Sequence, residues 1–298
     1  MSLVSTLQLI RSKRPDVVIL FTGLRNRFLL PLVWLLRHMQ IRVIYWGHGI
    51  NLSRKQSHRK LYGLLHRSCH VILLYAEHLK QYINPNERHK IVVANNTLCL
   101  GDPPEPPSPG KKQAILKKHS VHTRSNIIFT GRMQRRKRVG DLLAASERMS
   151  VPELGVILVG PDVERVLPSV LPAGVTHIPT LYGKELLELM VACDICCCPG
   201  WVGLNIVDAM ACGLPFVTED LPDHGPEIMY LRDGYNGMIV PPRSIDQLAA
   251  KLMQLLKDDE LRLRMSKQAR KTYLKDASIE RMYQGFRESV VRVLVKHV

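Results

Sequence analysis

Short, nearly unbroken apolar runs punctuate the first third of the chain: DVVIL at 16–20, RVIYW at 42–46, HVILLY at 70–75 and KIVVAN at 90–95. Longer stretches of helical period separate them. Strands that are apolar on both faces belong in a parallel sheet covered by helices, so the alternation predicts βαβ units. The segment DPPEPPSPGKK, 102–112, interrupts this rhythm with five prolines and reads as a surface connection between domains. The rhythm resumes with NIIFTG 126–131, GVILVG 155–160, VTHIP 175–179, DICCCP 194–199, PFVTE 215–219 and GMIV 237–240. The fold class expected is therefore α/β, two Rossmann-like parallel-sheet domains in tandem, at residues 1–110 and 111–277. SIERMYQGFRESVVRVLV, 278–295, has helical spacing, and residues 278–298 are expected to form a C-terminal helix packing back on the first domain. A doubly wound domain ordinarily opens with a strand and a glycine-rich turn. Here the helix-like VSTLQLIRSKR comes first, so the first domain is expected to be shortened at its start.

At 298 residues, 46% of them hydrophobic, the chain is too long and too apolar for a disordered tail, a fibrous repeat or a small disulfide scaffold. Its net charge of +16 is uneven: residues 1–120 carry 19 basic and 5 acidic side chains, leaving a near balance beyond them. Of the seven cysteines, three are consecutive at 196–198 inside an apolar run, and no CxxC or Cys/His ligand spacing occurs. Free, reduced, core cysteines in a cytoplasmic protein are expected, with no metal site. No secretory leader is read at the start, and FLLPLVWLL, 28–36, falls far short of the ~20 residues that span a bilayer.

The chemistry gathers in the second domain. Gly131 and Arg132 follow a strand directly, and Lys137 comes five residues later, where a helix should begin. Open α/β sheets bind ligands at such strand ends, and two cations there suit a diphosphate, both expected to be partly exposed. Arg135, Arg136 and Arg138 crowd the same loop, so a solvated basic face is the plainer alternative. A second strand leads into the turn Gly200, Trp201, Val202, Gly203, Leu204 and then a helix closed by Gly213. Glycines let backbone N–H groups approach a phosphate, and the helix start adds its positive dipole end. Asp208, on that helix, faces where ribose hydroxyls would lie, with a plain surface position as its alternative.

These segments in this order resemble the donor-binding domain of the retaining GT-B glycosyltransferases of family 4, the glycosyl transferases group 1 class. GRMQRRKRVGDLL, GVILVGPD, LYGKELLELMVACDICCCPG, DAMACGLPFVTED and HGPEIMYLRDGYNGMIVPPRSIDQLAAKLMQLLKD carry the resemblance, and WGHG at 46–49 and VVANNT at 92–97 extend it more loosely into the first domain. The resemblance implies two domains facing a cleft and transfer of a sugar from a nucleoside-diphosphate sugar without a metal or other cofactor. It places Arg132 and Lys137 on the donor diphosphate, Asp208 on the ribose, and His48 at the catalytic histidine after a first-domain strand. His224 and Glu227 would lie beside the donor. The first glutamate of the family's paired-glutamate signature falls at Gly200. Each of these residues has a structural alternative: a turn or core role for His48, a loop surface for His224, a cap for Glu227, packing for Trp201.

Three partners suit the basic first domain. Nucleic acid is disfavoured, since no helix-turn-helix, RRM or interleaved aromatics occur. An anionic acceptor is the second. An anionic membrane surface is preferred, with basic residues beside the apolar 28–36 segment and a lipid-linked or glycan acceptor, on the cytoplasmic face of the inner membrane. A non-catalytic GT-B module that binds nucleotide sugar without turnover is the competing expectation.

Overall fold

The structure is a computed structural model that describes residues 3–21, 28–50 and 56–295. In chain order its first elements are α1 (Leu3–Lys13), β1 (Val17–Phe21), α2 (Leu29–His38), β2 (Arg42–Gly47), α3 (Gln56–Ser68), β3 (Val71–Leu74) and β4 (Ile91–Val93). There follow α4 (Pro109–Lys118), β5 (Ser125–Thr130), α5 (Val139–Glu147), β6 (Leu154–Val159), β7 (Val175–Ile178), α6 (Gly183–Val191) and β8 (Ile195–Cys197). The last are α7 (Asn205–Ala211), β9 (Phe216–Glu219), β10 (Gly237–Val240), α8 (Ile245–Lys257), α9 (Asp259–Asp276) and α10 (Ile279–Val295). Every expected strand is present, because continuous apolar runs of this length find burial on both faces only in a covered parallel sheet. The chain divides into two compact units, Met1–Asn96 with Ile279–Val298, and Thr97–Ser278.

In the first unit the strands pair in the order β1-β2-β3-β4, all parallel. Edge strand β1 leaves Phe21 64% exposed, while β3 is buried throughout. Helix α2 buries Leu29, Leu32, Val33 and Leu36, a single stripe at helical spacing. Helix α10 packs against β2, β3 and β4. At Gly285 an added Cβ would lie 2.6 Å from Ala94 Cα, so the helix sits nearly backbone to backbone on the end of β4.

The second unit holds six parallel strands in the order β7-β6-β5-β8-β9-β10. The chain builds outward from β5 to β7, then crosses back to start β8 on the other side of β5. This reversal creates a switch point between β5 and β8, the place where doubly wound sheets open a crevice for ligands beyond their carboxyl ends. Phe129, Ile157, Cys196 and Phe216 fill the core with no exposed surface. The proline segment belongs to this unit, where Arg270 donates to the Pro103 carbonyl and pairs with Glu105 at 3.1 Å. All seven cysteines are free, and burial pushes the thiols of Cys196 and Cys197 well above their ordinary range. Cys99 departs from the expectation of a core position: it is exposed.

Candidate functional site

The two segments singled out in the sequence flank the switch point, one leaving β5 and the other leaving β8. Gly131, just after β5, has φ +122°, a conformation open to glycine and rarely to other residues. Among the described residues nothing lies within 4 Å of where its Cβ would be, so its outer face is clear of them. Gly160, after β6, has φ +131°, and a Cβ there would fall 2.2 Å from the Gly131 carbonyl oxygen. These two turns cross at van der Waals contact, which only glycine at position 160 allows.

Arg132 is exposed and makes no hydrogen bond or ion pair among the described residues. Lys137, expected to be partly exposed, is only 6% exposed. It lies in the one-turn 3-10 segment Arg135–Lys137, and its ammonium sits 4.8 Å from the centroid of the Trp201 ring. That ammonium makes no hydrogen bond or ion pair among the described residues. Burial pulls its pKa below the ordinary lysine value, with the Glu227 carboxylate acting in the opposite sense. A partly desolvated cation with an aromatic face but no anion beside it is incompletely compensated, and an incoming anion relieves that cost.

Arg136 stacks on the same indole at 4.2 Å, so Trp201 serves as a platform for two cations. Arg138 is not part of a solvated face. It takes a left-handed conformation, φ +54°, and bridges Asp141 and the fully buried Glu219, the latter at 2.5 Å. Glu219 Oε2 also accepts from the Arg243 amide at 2.8 Å, while Oε1 has no partner. This bridge ties the start of α5 to the end of β9. Its partners stand 81 residues apart in the chain, and no local pattern in the sequence marks it.

The turn after β8 differs from expectation. The amides of Gly200 and Trp201 donate to the carbonyls of Lys137 and Arg136 at 3.0 and 2.8 Å. The amides of Val202 and Gly203 donate to His224 Nδ1 and Asn205 Oδ1 at 3.0 and 3.1 Å. Four amides foreseen as a phosphate cradle are thus spent on the protein, and α7 behind them is only seven residues long. At Gly200 a Cβ would meet the Arg136 carbonyl oxygen at 2.1 Å, so the two loops zip together through a position that excludes any side chain. Val202 is buried and Leu204 half-buried beside it.

His224 has both ring nitrogens engaged. Nδ1 accepts from Val202, and Nε2 lies 2.7 Å from the Glu219 carbonyl, to which it donates in the matching tautomer. Burial lowers its pKa and keeps this neutral form. It clips the β8 turn to the end of β9. Glu227 is buried, and its carboxylate edges within 2.6 Å of where a Gly225 Cβ would stand.

The Asp208 carboxylate, on α7, makes no hydrogen bond or ion pair among the described residues. Burial raises its pKa to about 7. His48 belongs to the first unit, at the carboxyl end of β2, exposed and edge-on to Tyr75 at 4.6 Å between ring centroids. Gly49 follows with φ +73° and turns the chain. Desolvation lowers the pKa of His48 as well. Among the described residues no three His, Cys, Asp or Glu side chains converge as metal ligands.

Comparison with known proteins bears on the same segments. Residues 111–272 match the family Glycosyl transferases group 1. Over 187 residues the chain is 26% identical to the O-antigen chain mannosyltransferase B of Escherichia coli, covering 57% of this chain and 47% of that protein. The chain thus aligns with about half the length of that curated relative. Among solved structures it is similar to Anabaena HepE in complex with UDP, with TM-score 0.80, 17% identity, and coverage of 96% of this chain and 81% of that one. A glycosyltransferase from Rickettsia africae gives TM-score 0.80 and 17% identity, over 99% of this chain and 81% of that one. These likenesses show the fold, two parallel-sheet α/β domains of the GT-B class. With the family match spanning more than half of its residues, the chain belongs to the glycosyl transferases group 1 family.

Proposed function

We propose that the chain is a hexosyltransferase that takes a sugar from a nucleoside-diphosphate donor held at the switch point of its second unit. The observation that carries this reading is Lys137: a buried lysine whose ammonium has the Trp201 ring beside it but no hydrogen bond or ion pair among the described residues, next to exposed Arg132 and the clear face of Gly131, at the carboxyl ends of β5 and β8. As the glycosidic bond to the donor phosphate breaks, negative charge grows on the departing diphosphate. Lys137 and Arg132 stabilise it electrostatically from fixed positions. Trp201 holds Lys137 from below, and Arg138 with Glu219 holds the loop that carries it. Asp208 serves the ribose hydroxyls, with Glu227 lining the donor side, and His48 is the catalytic histidine of the first unit. We read the reaction as retaining and independent of a metal. The UDP complex of the Anabaena neighbour and the similarity to the O-antigen chain mannosyltransferase B of Escherichia coli support a nucleotide-sugar donor and a glycan acceptor.

The donor reading is tested by melting the protein with UDP, GDP or ADP in EDTA. One of them, at about 100 times its dissociation constant, stabilises the fold by about 2.7 kcal/mol. A melting curve unmoved by all three overturns the donor site.

We also propose a cytoplasmic enzyme attached to an anionic membrane face, where a lipid-linked acceptor would be met. Opposite the buried stripe of α2, Trp34 is 62% exposed, and Phe28, Leu35 and Met39 are exposed nearby with Arg37. No helix among the described residues is long and apolar enough to cross a membrane. Trp34→Ser is expected to lower co-sedimentation with anionic vesicles about tenfold at fixed salt. Equal sedimentation of the two proteins, or tight binding to a random duplex without vesicle binding, contradicts this attachment.

A further inference from the structure

A pocket of about 440 Å³ opens in the first unit at the edge of the sheet where the strands begin. Arg42 opens β2, His70 precedes β3 and Lys90 precedes β4. Because these strands are parallel neighbours, their starts stand side by side. Arg37 and Arg67 reach the pocket from the last turns of α2 and α3, and Arg292 from the last turn of α10. Among the described residues no acidic one lines it. We propose that this pocket binds a phosphate-bearing anion.

Part of this charge is spent on structure. Arg37 Nη1 donates to the Ser68 carbonyl at 2.9 Å, and Lys90 Nζ to the Arg67 carbonyl at 3.1 Å, capping the end of α3. Arg42 Nε donates to Val293 O at 3.3 Å and Arg292 Nη1 to Ile91 O at 3.2 Å, seating α10 on the sheet. Glu87 and Glu288 pair with Lys90 and Arg292, both at 2.6 Å. Five permanent cations less two carboxylates leave a surplus of three. Three helix C-termini, at about half a negative charge each, offset roughly half of that. A net charge of about +1.5 therefore remains around one opening.

The remaining donors fit an oxyanion. A guanidinium carries five N–H donors in a fork that matches phosphate oxygens. Arg37 and Arg42 each commit one nitrogen to the carbonyls named above. The Arg67 guanidinium makes no hydrogen bond or ion pair among the described residues, its backbone carbonyl alone being taken by Lys90. His70 reports the same field: burial and the cations of Arg37 and Arg42 hold its pKa below the ordinary value, while its Nδ1 accepts from Val43. The volume exceeds that of several water molecules at ~30 Å³ each, room for a diphosphate or a lipid phosphate headgroup. Nor does the pocket belong to the site described above. It lies at the first residue of β2, while His48 follows the last, about 20 Å away along the strand at ~3.3 Å per residue. Every residue placed at the donor diphosphate belongs to the second unit.

The test uses the full chain carrying Lys137→Met, which silences the proposed donor site, titrated with inorganic pyrophosphate. Pyrophosphate binds, and adding Arg67→Gln weakens it about tenfold, since one charge-assisted contact is lost. The Arg67 side chain is exposed and bonded to nothing described, and its carbonyl stays in place in the variant, so the replacement leaves the melting curve without ligand unchanged. A second arm compares phosphatidylcholine vesicles with and without phosphatidic acid. Pyrophosphate binding without a gain from phosphatidic acid marks a soluble phosphate as the ligand. A gain from phosphatidic acid that Arg67→Gln abolishes and Trp34→Ser only reduces marks the headgroup. If Arg67→Gln changes neither pyrophosphate nor vesicle binding, the pocket is not a phosphate site.

Discussion

Gly200→Ala is expected to destabilise the second unit by about 3 kcal/mol or more and to abolish nucleoside diphosphate binding. A single methyl at position 200 would fall 2.1 Å from the Arg136 carbonyl oxygen and 2.5 Å from the Lys137 carbonyl carbon. Both are backbone atoms, so no side-chain rotation relieves the clash, and the two loops must part. Overpacking of this kind costs ~1–3 kcal/mol, and the lost bonds from Gly200 and Trp201 to that loop add about 1 kcal/mol each. At roughly 2–4 °C per kcal/mol for a unit of this size, the melting temperature falls by about 6–12 °C. Lys137, carried on the displaced loop, loses its place over Trp201, and binding goes with it. A variant that melts and binds like the parent would show that the loops do not touch as described. The same contact gives a physical reason for glycine where the family's signature has its first glutamate: this backbone spacing has no room for that side chain.

Asp208→Asn is expected to stabilise the protein at alkaline pH while weakening donor binding. Burial raises the folded-state pKa of Asp208 from 3.8 to about 7, so the folded protein holds this proton more tightly than the unfolded chain. The stability this contributes is complete below about pH 4 and drains away as the pH rises to about 7. The full shift corresponds to about 4 kcal/mol, and to nearer 2 kcal/mol with the solvent that still reaches the side chain. Asparagine is neutral throughout and carries no such loss. In urea titrations the variant should therefore gain on the parent between pH 5 and pH 8. Nucleoside diphosphate affinity at pH 8 should fall about tenfold, because an ionised carboxylate accepts more strongly from ribose hydroxyls than an amide does. A stability difference independent of pH, or unchanged affinity, would remove Asp208 from this role.

The architecture was legible because parallel strands announce themselves: RVIYW, HVILLY and NIIFTG can be buried on both faces in few other ways. That the two segments of the proposed site follow strand ends was legible for a related reason, since glycines and cations recur there. What each residue does there was not. Lys137 reads like its neighbours Arg135 and Arg136, and only the packing of Trp201, 64 residues on, shows which cation is buried. The amides of the 200–203 turn look free in a glycine-rich stretch, yet their partners are carbonyls of the other loop, the ring of His224 and the side chain of Asn205. Arg138 and Glu219 meet across 81 residues. The basic pocket of the first unit gathers residues from 37 to 292, so the sequence shows only an excess of positive charge there.

The central claim is that a nucleoside diphosphate binds through Lys137 at the switch point, and calorimetric titration in EDTA of the parent and Lys137→Met with the diphosphate that shifts the melting curve tests it most directly. Methionine keeps the length of the stem over Trp201 and removes the charge. The account predicts at least tenfold weaker binding for the variant with the fold intact, the loss of one charge-assisted contact at ~1.5–3 kcal/mol. It also predicts that the parent's affinity falls on the alkaline side at a pH below the ordinary lysine value of ~10.4, because the depressed pKa of Lys137 sets where the ammonium is lost. Equal affinity in parent and variant across that range would contradict it.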